Sequence, residues 1–200
     1  MDLATGIGRI LVQTAKEIEL ELIRKCQLGE PWAFDALYDK FGNAVWRLCR
    51  RMAKNPADAE EIAQDVWVAV WQGIGSFRCE SAFHTWLYKV ASNTCLRWLR
   101  KRGGEPTHST EEDYPTALPS PEAEVVEKED LRLLLAAFAA LPDSLRLPLV
   151  LKVGEGLAYS EIAQILDCTT AAVKMRISRA RAALTQAMNS ENIGMEEATE

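Results

Sequence analysis

The twelve residues 173–184, VKMRISRARAAL, carry Lys174, Arg176, Arg179 and Arg181 and no acidic side chain. With no carboxylate three or four positions away, such cations gain nothing from pairing along a helix. The row is either a solvated face or a surface for a polyanion, whose bound counterions are released when basic groups replace them. A second stretch, FRCESAFHTWLYKVASNTCLRWLRKR at 77–102, holds Lys89, Arg97, Arg100, Lys101 and Arg102 and, from Ser81 onward, no acidic residue. Phe83, Trp86, Tyr88 and Trp98 are interleaved with these cations. Basic groups track phosphates, and aromatic faces stack on unpaired bases at roughly 1–3 kcal/mol per base. Together they suit single-stranded or opened DNA. The competing reading makes Phe83, Trp86, Leu87 and Val90 the buried face of a helix, which fits Trp86 and Leu87 best and Phe77, Tyr88 and Asn93 least. In DAEEIAQDVWVAVW, residues 58–71, Glu61, Gln64 and Asp65 form a polar side that is either simply solvated or set against a basic partner helix.

Catalytic chemistry finds little support. The two histidines, His84 and His108, have no metal-ligand spacing around them, and no glycine loop is built to cradle phosphate. No catalytic residue, metal, cofactor or small-molecule substrate is expected. The five cysteines are odd in number, widely spaced and lack C-x-x-C, as expected of small buried apolar residues.

The elements that must position these residues read as helices. Pro31 suits a first helical turn, and Phe34, Leu37, Phe41, Val45 and Leu48 then recur at spacings of three and four. A second helix is expected from an N-cap at Asp58, with Ile62, Val66 and Val70 on one face, and a third over Ser81 to Arg102. Later come AEVVEKEDLRLLLAAFAAL, PDSLRLPLVLKV, YSEIAQIL and TTAAVKMRISRARAALTQAM. The last two, joined by DCT with Thr169 or Thr170 as N-cap, have helix-turn-helix spacing. At 100° per residue Val173, Ile177, Ala180 and Leu184 turn toward Ile162 and Leu166, which directs Lys174, Met175, Ser178 and Arg179 outward, flanked by Arg176 and Arg181.

The chain of 200 residues has a formal charge of -6, unevenly spread. Residues 1–102 and 131–190 are each +3, whereas 103–130 are -8 and 191–200 are -4. GGEPTHSTEEDYPTALPSP at 103–121 holds four of the eight prolines and has the composition of an exposed linker. The acidic segments either serve solvation or repel or mimic DNA until a partner is bound. The expected fold is all-α, two small helical domains joined by an acidic, proline-containing linker, the second domain a helix-turn-helix. No run of about 18 apolar residues is long enough to span a bilayer and the N-terminus lacks a signal-peptide pattern, so a cytoplasmic protein is expected.

These residues resemble a known family. DAEEIAQDVWVAVW, then SF-x(5)-F-x-TWLYKVASN and LRKR, an acidic linker, and LPDSLRLPLVLKVGEGLAYSEIAQILDCTTAAVKMRISRAR are similar to the extracytoplasmic-function (group IV) sigma factors of bacterial RNA polymerase. The resemblance covers residues 17–188. It implies an N-terminal extension (1–16), a region 2 domain (17–102), an acidic linker and lead-in (103–130), a region 4 domain (131–188) and an acidic tail (189–200). Glu61, Gln64 and Asp65 would meet the basic clamp helices of the largest core subunit. Phe77, Phe83, Trp86, Tyr88, Asn93, Arg97 and Arg100 match positions that melt and read the -10 element as a single strand. Thr170, Lys174, Met175, Ser178 and Arg179 would read the -35 duplex, with Arg176 and Arg181 on its backbone. The implied partners are core polymerase, promoter DNA and an anti-sigma factor, often membrane-bound. A stand-alone helix-turn-helix regulator is the alternative, and it would need no aromatic melting segment. Pro148 departs from the family, whose helix usually runs unbroken there.

Overall fold

The computed structural model describes residues 16–102 and 123–197, and every regular element within them is helical. Residues 1–15, all but the last residue of the N-terminal extension expected over 1–16, lie outside the described residues, as do residues 103–122 and 198–200.

Helix α1 (residues 16–27) buries Ile23 and Cys26 and ends at Gly29, whose φ of 82° is the left-handed conformation glycine adopts without strain. Helix α2 (Pro31–Met52) begins on its proline and buries Leu37, Val45 and Leu48 completely, with Phe34 and Phe41 packed beside them. Each such aliphatic side chain stabilises the fold by about 1.5–3 kcal/mol. Helix α3 (Pro56–Gly73) places Ile62, Val66 and Val70 in the same core. Its N-cap is Asn55 rather than the expected Asp58. The Asn55 side-chain oxygen accepts from the Asp58 N–H at 2.8 Å, and Pro56 occupies the first turn, where its missing N–H costs nothing. Asp58 sits inside that turn, and its buried carboxylate accepts from Arg102 and from the Asn55 amide. Asn55→Ala should lower the unfolding free energy by about 1 kcal/mol in urea denaturation.

A 3-10 turn (Ile74–Ser76) leads toward helix α4 (Phe83–Arg102). Gln27 Nε2 donates to the Ile74 and Phe77 carbonyls at 3.0 and 2.8 Å, tying this connection to the end of α1.

The second lobe comprises α5 (Ala123–Ala140), α6 (Asp143–Leu149), α7 (Tyr159–Ile165) and α8 (Thr170–Glu197), with α8 packed on the other three. Pro148 lies inside α6, and the helix widens after it into a π turn (Val150–Gly154) where the Glu155 N–H donates to the Val150 carbonyl five residues back. A proline has no N–H to give and crowds the carbonyl four residues earlier, so the wider turn takes up the misfit. Helix α8 continues to Glu197, so the acidic tail expected from residue 189 is helical as far as Glu197. Its sequence, rich in Glu with Met and Asn, is compatible with a helix despite Gly194.

The two lobes are packed together. Helix α4 lies against α7, α2 touches α6 and the π turn, and the buried apolar side chains of both lobes form one cluster.

Candidate nucleic-acid and polymerase interfaces

Helices α7 and α8 meet through a tight turn in which Asp167 takes a φ of 48° and Thr169 Oγ1 caps α8 by accepting from the Ala172 N–H at 3.1 Å. Val173, Ile177 and Ala180 are buried beneath α8, as the 100° projection requires. Thr170, Lys174, Met175, Ser178, Arg179 and Arg181 are exposed on the other side. Arg176 is half-buried and reaches back toward Cys168 Sγ at 3.9 Å. Lys174 Nζ stands 5.7 Å from the Tyr159 ring, and no carboxylate among the described residues pairs with Lys174, Arg179 or Arg181. A helix presented this way offers uncompensated cations and the three small or apolar side chains of Thr170, Met175 and Ser178 to whatever lies in front of it.

The seven residues singled out around α4 separate into three groups. Phe77, Phe83 and Trp86 form an aromatic knot with centroids 5.4–5.6 Å apart, and Phe41 adds a fourth ring at 5.3 Å from Phe83. Phe77 and Phe83 are buried and Trp86 is half-buried, so as folded the two phenylalanines have no free face for a base and instead anchor the segment leading into α4. Gly73 helps seat Trp86, since a Cβ there would stand 3.4 Å from the indole. Tyr88 is also buried, beneath the second lobe, and its hydroxyl donates to Glu155 at 2.8 Å. Burial, reinforced by the negative charge of Glu155, pushes the Tyr88 phenol well above its ordinary range. Asn93, Arg97 and Arg100 are exposed and, at spacings of four and three, share one face of α4.

On α3, Glu61, Gln64, Asp65 and Val68 follow one another at helical spacing and are all exposed. Gln64 and Val68 line a groove of about 810 Å³ between α2 and α3, with Tyr38, Asp39, Trp46, Glu60 and Trp67. Exposed aromatic groups at its floor and acidic groups at its edge make a surface for an apolar, basic partner. Trp46 and Val68 went unremarked as surface residues, although both interrupt otherwise polar faces.

Sequence reading also missed the carboxylates that join the lobes. Glu155, whose side chain is only 1% exposed, accepts from Arg47 at 2.8 Å and Arg51 at 2.5 Å. Glu161 meets His84 Nε2 at 2.9 Å and Asp167 meets Lys89 at 2.7 Å. The Glu161 carboxyl is held below its usual range by the Ala158 N–H and by His84. These partners are 77 to 108 positions apart, beyond the reach of any local pattern.

No cluster of three or more histidine, cysteine or acidic side chains suited to a metal occurs among the described residues. Nor is any helix among them long and apolar enough to cross a membrane.

The chain matches the family description of sigma-70 region 2 over residues 37–105 and that of sigma-70 region 4 over residues 131–184. It is 33% identical to the RNA polymerase sigma-H factor of Pseudomonas aeruginosa, over 86% of this chain and 95% of that protein. The ECF RNA polymerase sigma-E factor of Escherichia coli is 31% identical, over 82% and 90%. The chain belongs to the extracytoplasmic-function sigma factors. As such it is a transcription initiation factor rather than an enzyme, and its first lobe is the region 2 domain that a stand-alone helix-turn-helix regulator would lack. The sigma factor's fold is that of CnrH, solved in complex with the cytosolic domain of CnrY (TM-score 0.64, 24% identity, 86% of this chain and 98% of that one). It is also that of RpoE, solved with the anti-sigma factor NepR from Bartonella quintana (TM-score 0.63, 23% identity, 78% and 96%).

Proposed function

We propose that this sigma factor divides its work among three surfaces. Glu61, Gln64 and Asp65, with the groove beside them, dock on the basic clamp helices of the largest subunit of core polymerase. The polar strip Asn93, Arg97 and Arg100 follows the opened non-template strand of the -10 element, with Tyr88 supplying a ring once it is uncovered. Phe77, Phe83 and Trp86 hold that region in place. Thr170, Lys174, Met175, Ser178 and Arg179 read the -35 duplex, and Arg176 and Arg181 contact its phosphates. The protein acts in the cytoplasm, where polymerase acts. An anti-sigma factor of the kind bound to RpoE keeps it from the polymerase until a signal releases it.

The observation that carries this reading is the division of α8 into a buried row and an exposed, unpaired basic row. A recognition helix in the major groove needs both: one face to fix its angle and one to reach base edges and phosphates. The test is run-off transcription with core polymerase on promoters carrying an intact or a scrambled -35 element. Lys174→Ala or Arg179→Ala should weaken the intact promoter and reduce the slope of log affinity against log salt by about 1 each. Equal use of intact and scrambled promoters by the unaltered protein would count against any reading role for α8.

A further inference from the structure

One cation on the outward row of α8 is braced from the helix before it. Lys174 Nζ stands 5.7 Å from the centre of the Tyr159 ring, and Lys152 Nζ stands 4.8 Å from the centre of the same ring. Both distances lie within the ~6 Å over which an ammonium is drawn to an aromatic face. Among the described residues neither Arg179 nor Arg181 has such a ring beside it. The ring is itself held in place. Tyr159 is the first residue of α7 and packs half-buried against the core, and the Ala158 N–H before it donates to Glu161 Oε2 at 2.7 Å. Lys152, carried by the π turn after Pro148, donates to the Leu157 carbonyl at 2.9 Å and so closes the loop that leads into α7. Glu161, the carboxylate nearest along α7, is occupied by His84 and the Ala158 N–H rather than by Lys174. Lys152 takes the nearer place on the ring, and its like charge keeps Lys174 toward the rim, where the N–H donors stay open to a ligand.

We propose that Tyr159 is a positioning residue for -35 recognition: its ring orients Lys174, so that this lysine reads one base pair instead of serving the phosphates at large. The inference rests on the assignment of α8 to the -35 duplex given above. A lysine is a point charge on a flexible four-carbon stem, and fixing that stem on binding costs conformational entropy. A ring that holds the stem beforehand removes part of the cost. It also sets the direction from which the ammonium approaches a base edge, where guanine O6 and N7 are the acceptors a lysine most often meets in the major groove. The effect of Tyr159 on base choice is therefore indirect and passes through Lys174.

The test is a double-mutant cycle on the full chain assembled with core polymerase, using Lys174→Ala, Tyr159→Leu, their combination, and Tyr159→Phe. Circular dichroism and a thermal melt establish that each variant is folded. Fluorescence anisotropy at fixed salt follows binding to a promoter duplex with an intact -35 element and to duplexes in which each -35 base pair is changed in turn. Tyr159→Leu should raise the dissociation constant ~3–10-fold, with discrimination lost at the same base pair where Lys174→Ala loses it. Tyr159→Phe should stay within ~2-fold of wild type, because the ring and not the hydroxyl holds the cation. In the Lys174→Ala background, Tyr159→Leu should add less than ~2-fold. A full second loss in that background, or a loss spread evenly over all sequences, overturns the positioning role. Wild type alone gives a second reading: in NMR of the unaltered protein the Lys174 ε-methylene protons should be shifted upfield by the ring current, and random-coil positions overturn the contact. If Lys174→Ala leaves affinity and discrimination unchanged, the assignment of α8 to the -35 element fails. If Lys174→Ala weakens binding and Tyr159→Leu does not, only the role of Tyr159 is overturned.

Discussion

Replacing Glu61, Gln64 and Asp65 together by alanine is expected to raise the dissociation constant for core polymerase by ~100-fold or more while leaving the melting temperature almost unchanged. All three side chains are exposed, and none of them contributes to the α3 core formed by Ile62, Val66 and Val70. Surface changes of this kind usually alter stability by no more than about 0.5 kcal/mol, and alanine is the better helix former. Binding is a different matter. In the proposed docking, two negative charges and an amide would face basic helices and form charge-assisted hydrogen bonds in a partly desolvated interface, and truncating a group of this sort typically costs about 2 kcal/mol or more. Two such losses already exceed ~100-fold in affinity. Equilibrium binding of labelled core enzyme, read beside a thermal melt, separates the two effects. Unaltered affinity would remove α3 from the docking surface and leave the groove between α2 and α3 without its proposed occupant.

The second large effect is expected at Ile177. It is 2% exposed, between Val173 and Ala180 in the row that seats α8 on the second lobe. Ile177→Ala removes its methyl groups and leaves a cavity, a change that costs 2–5 kcal/mol at buried sites. In so small a lobe that is a large share of the available stability. Urea denaturation should show a lower midpoint. Protection of the -35 element in footprinting should fall even though every residue assigned to read it is still present, because the angle of α8 is no longer held. Core binding through α3 should persist, since Ile62, Val66 and Val70 pack in the other lobe. Loss of core binding as well would mean that the lobes fold as one cooperative unit.

Much of the site is local in origin and was legible as such. The division of α8 into Val173, Ile177, Ala180 and Leu184 inside and Lys174, Met175, Ser178 and Arg179 outside follows from 3.6 residues per turn, and the structure reproduces it except that Leu184 is only half-buried. Stripes on α2 and α3 were legible for the same reason. Boundaries were less so, because Asn55 and Asp58 are both good caps; Pro56 favours the former, and the pairing of Asp58 with Arg102 is a tertiary fact. The aromatic residues near α4 were the hardest. Phe77, Phe83 and Tyr88 suit a stacking platform as well as a core, and composition cannot distinguish the two.

The sequence by itself determined that the chain is helical, that two basic surfaces are separated by an acidic, proline-rich stretch, and which face of α8 is turned outward. All of these depend on side-chain type and on spacings of three or four residues. Only the tertiary structure decided that Phe77 and Phe83 are buried in a knot with Phe41, that Pro148 opens a π turn, and that Glu155 reaches Arg47, Arg51 and Tyr88 across the two lobes. The physical reason is range. A helix is specified by neighbours within a turn, whereas the burial of an aromatic ring or a carboxylate depends on what the rest of the chain brings to it.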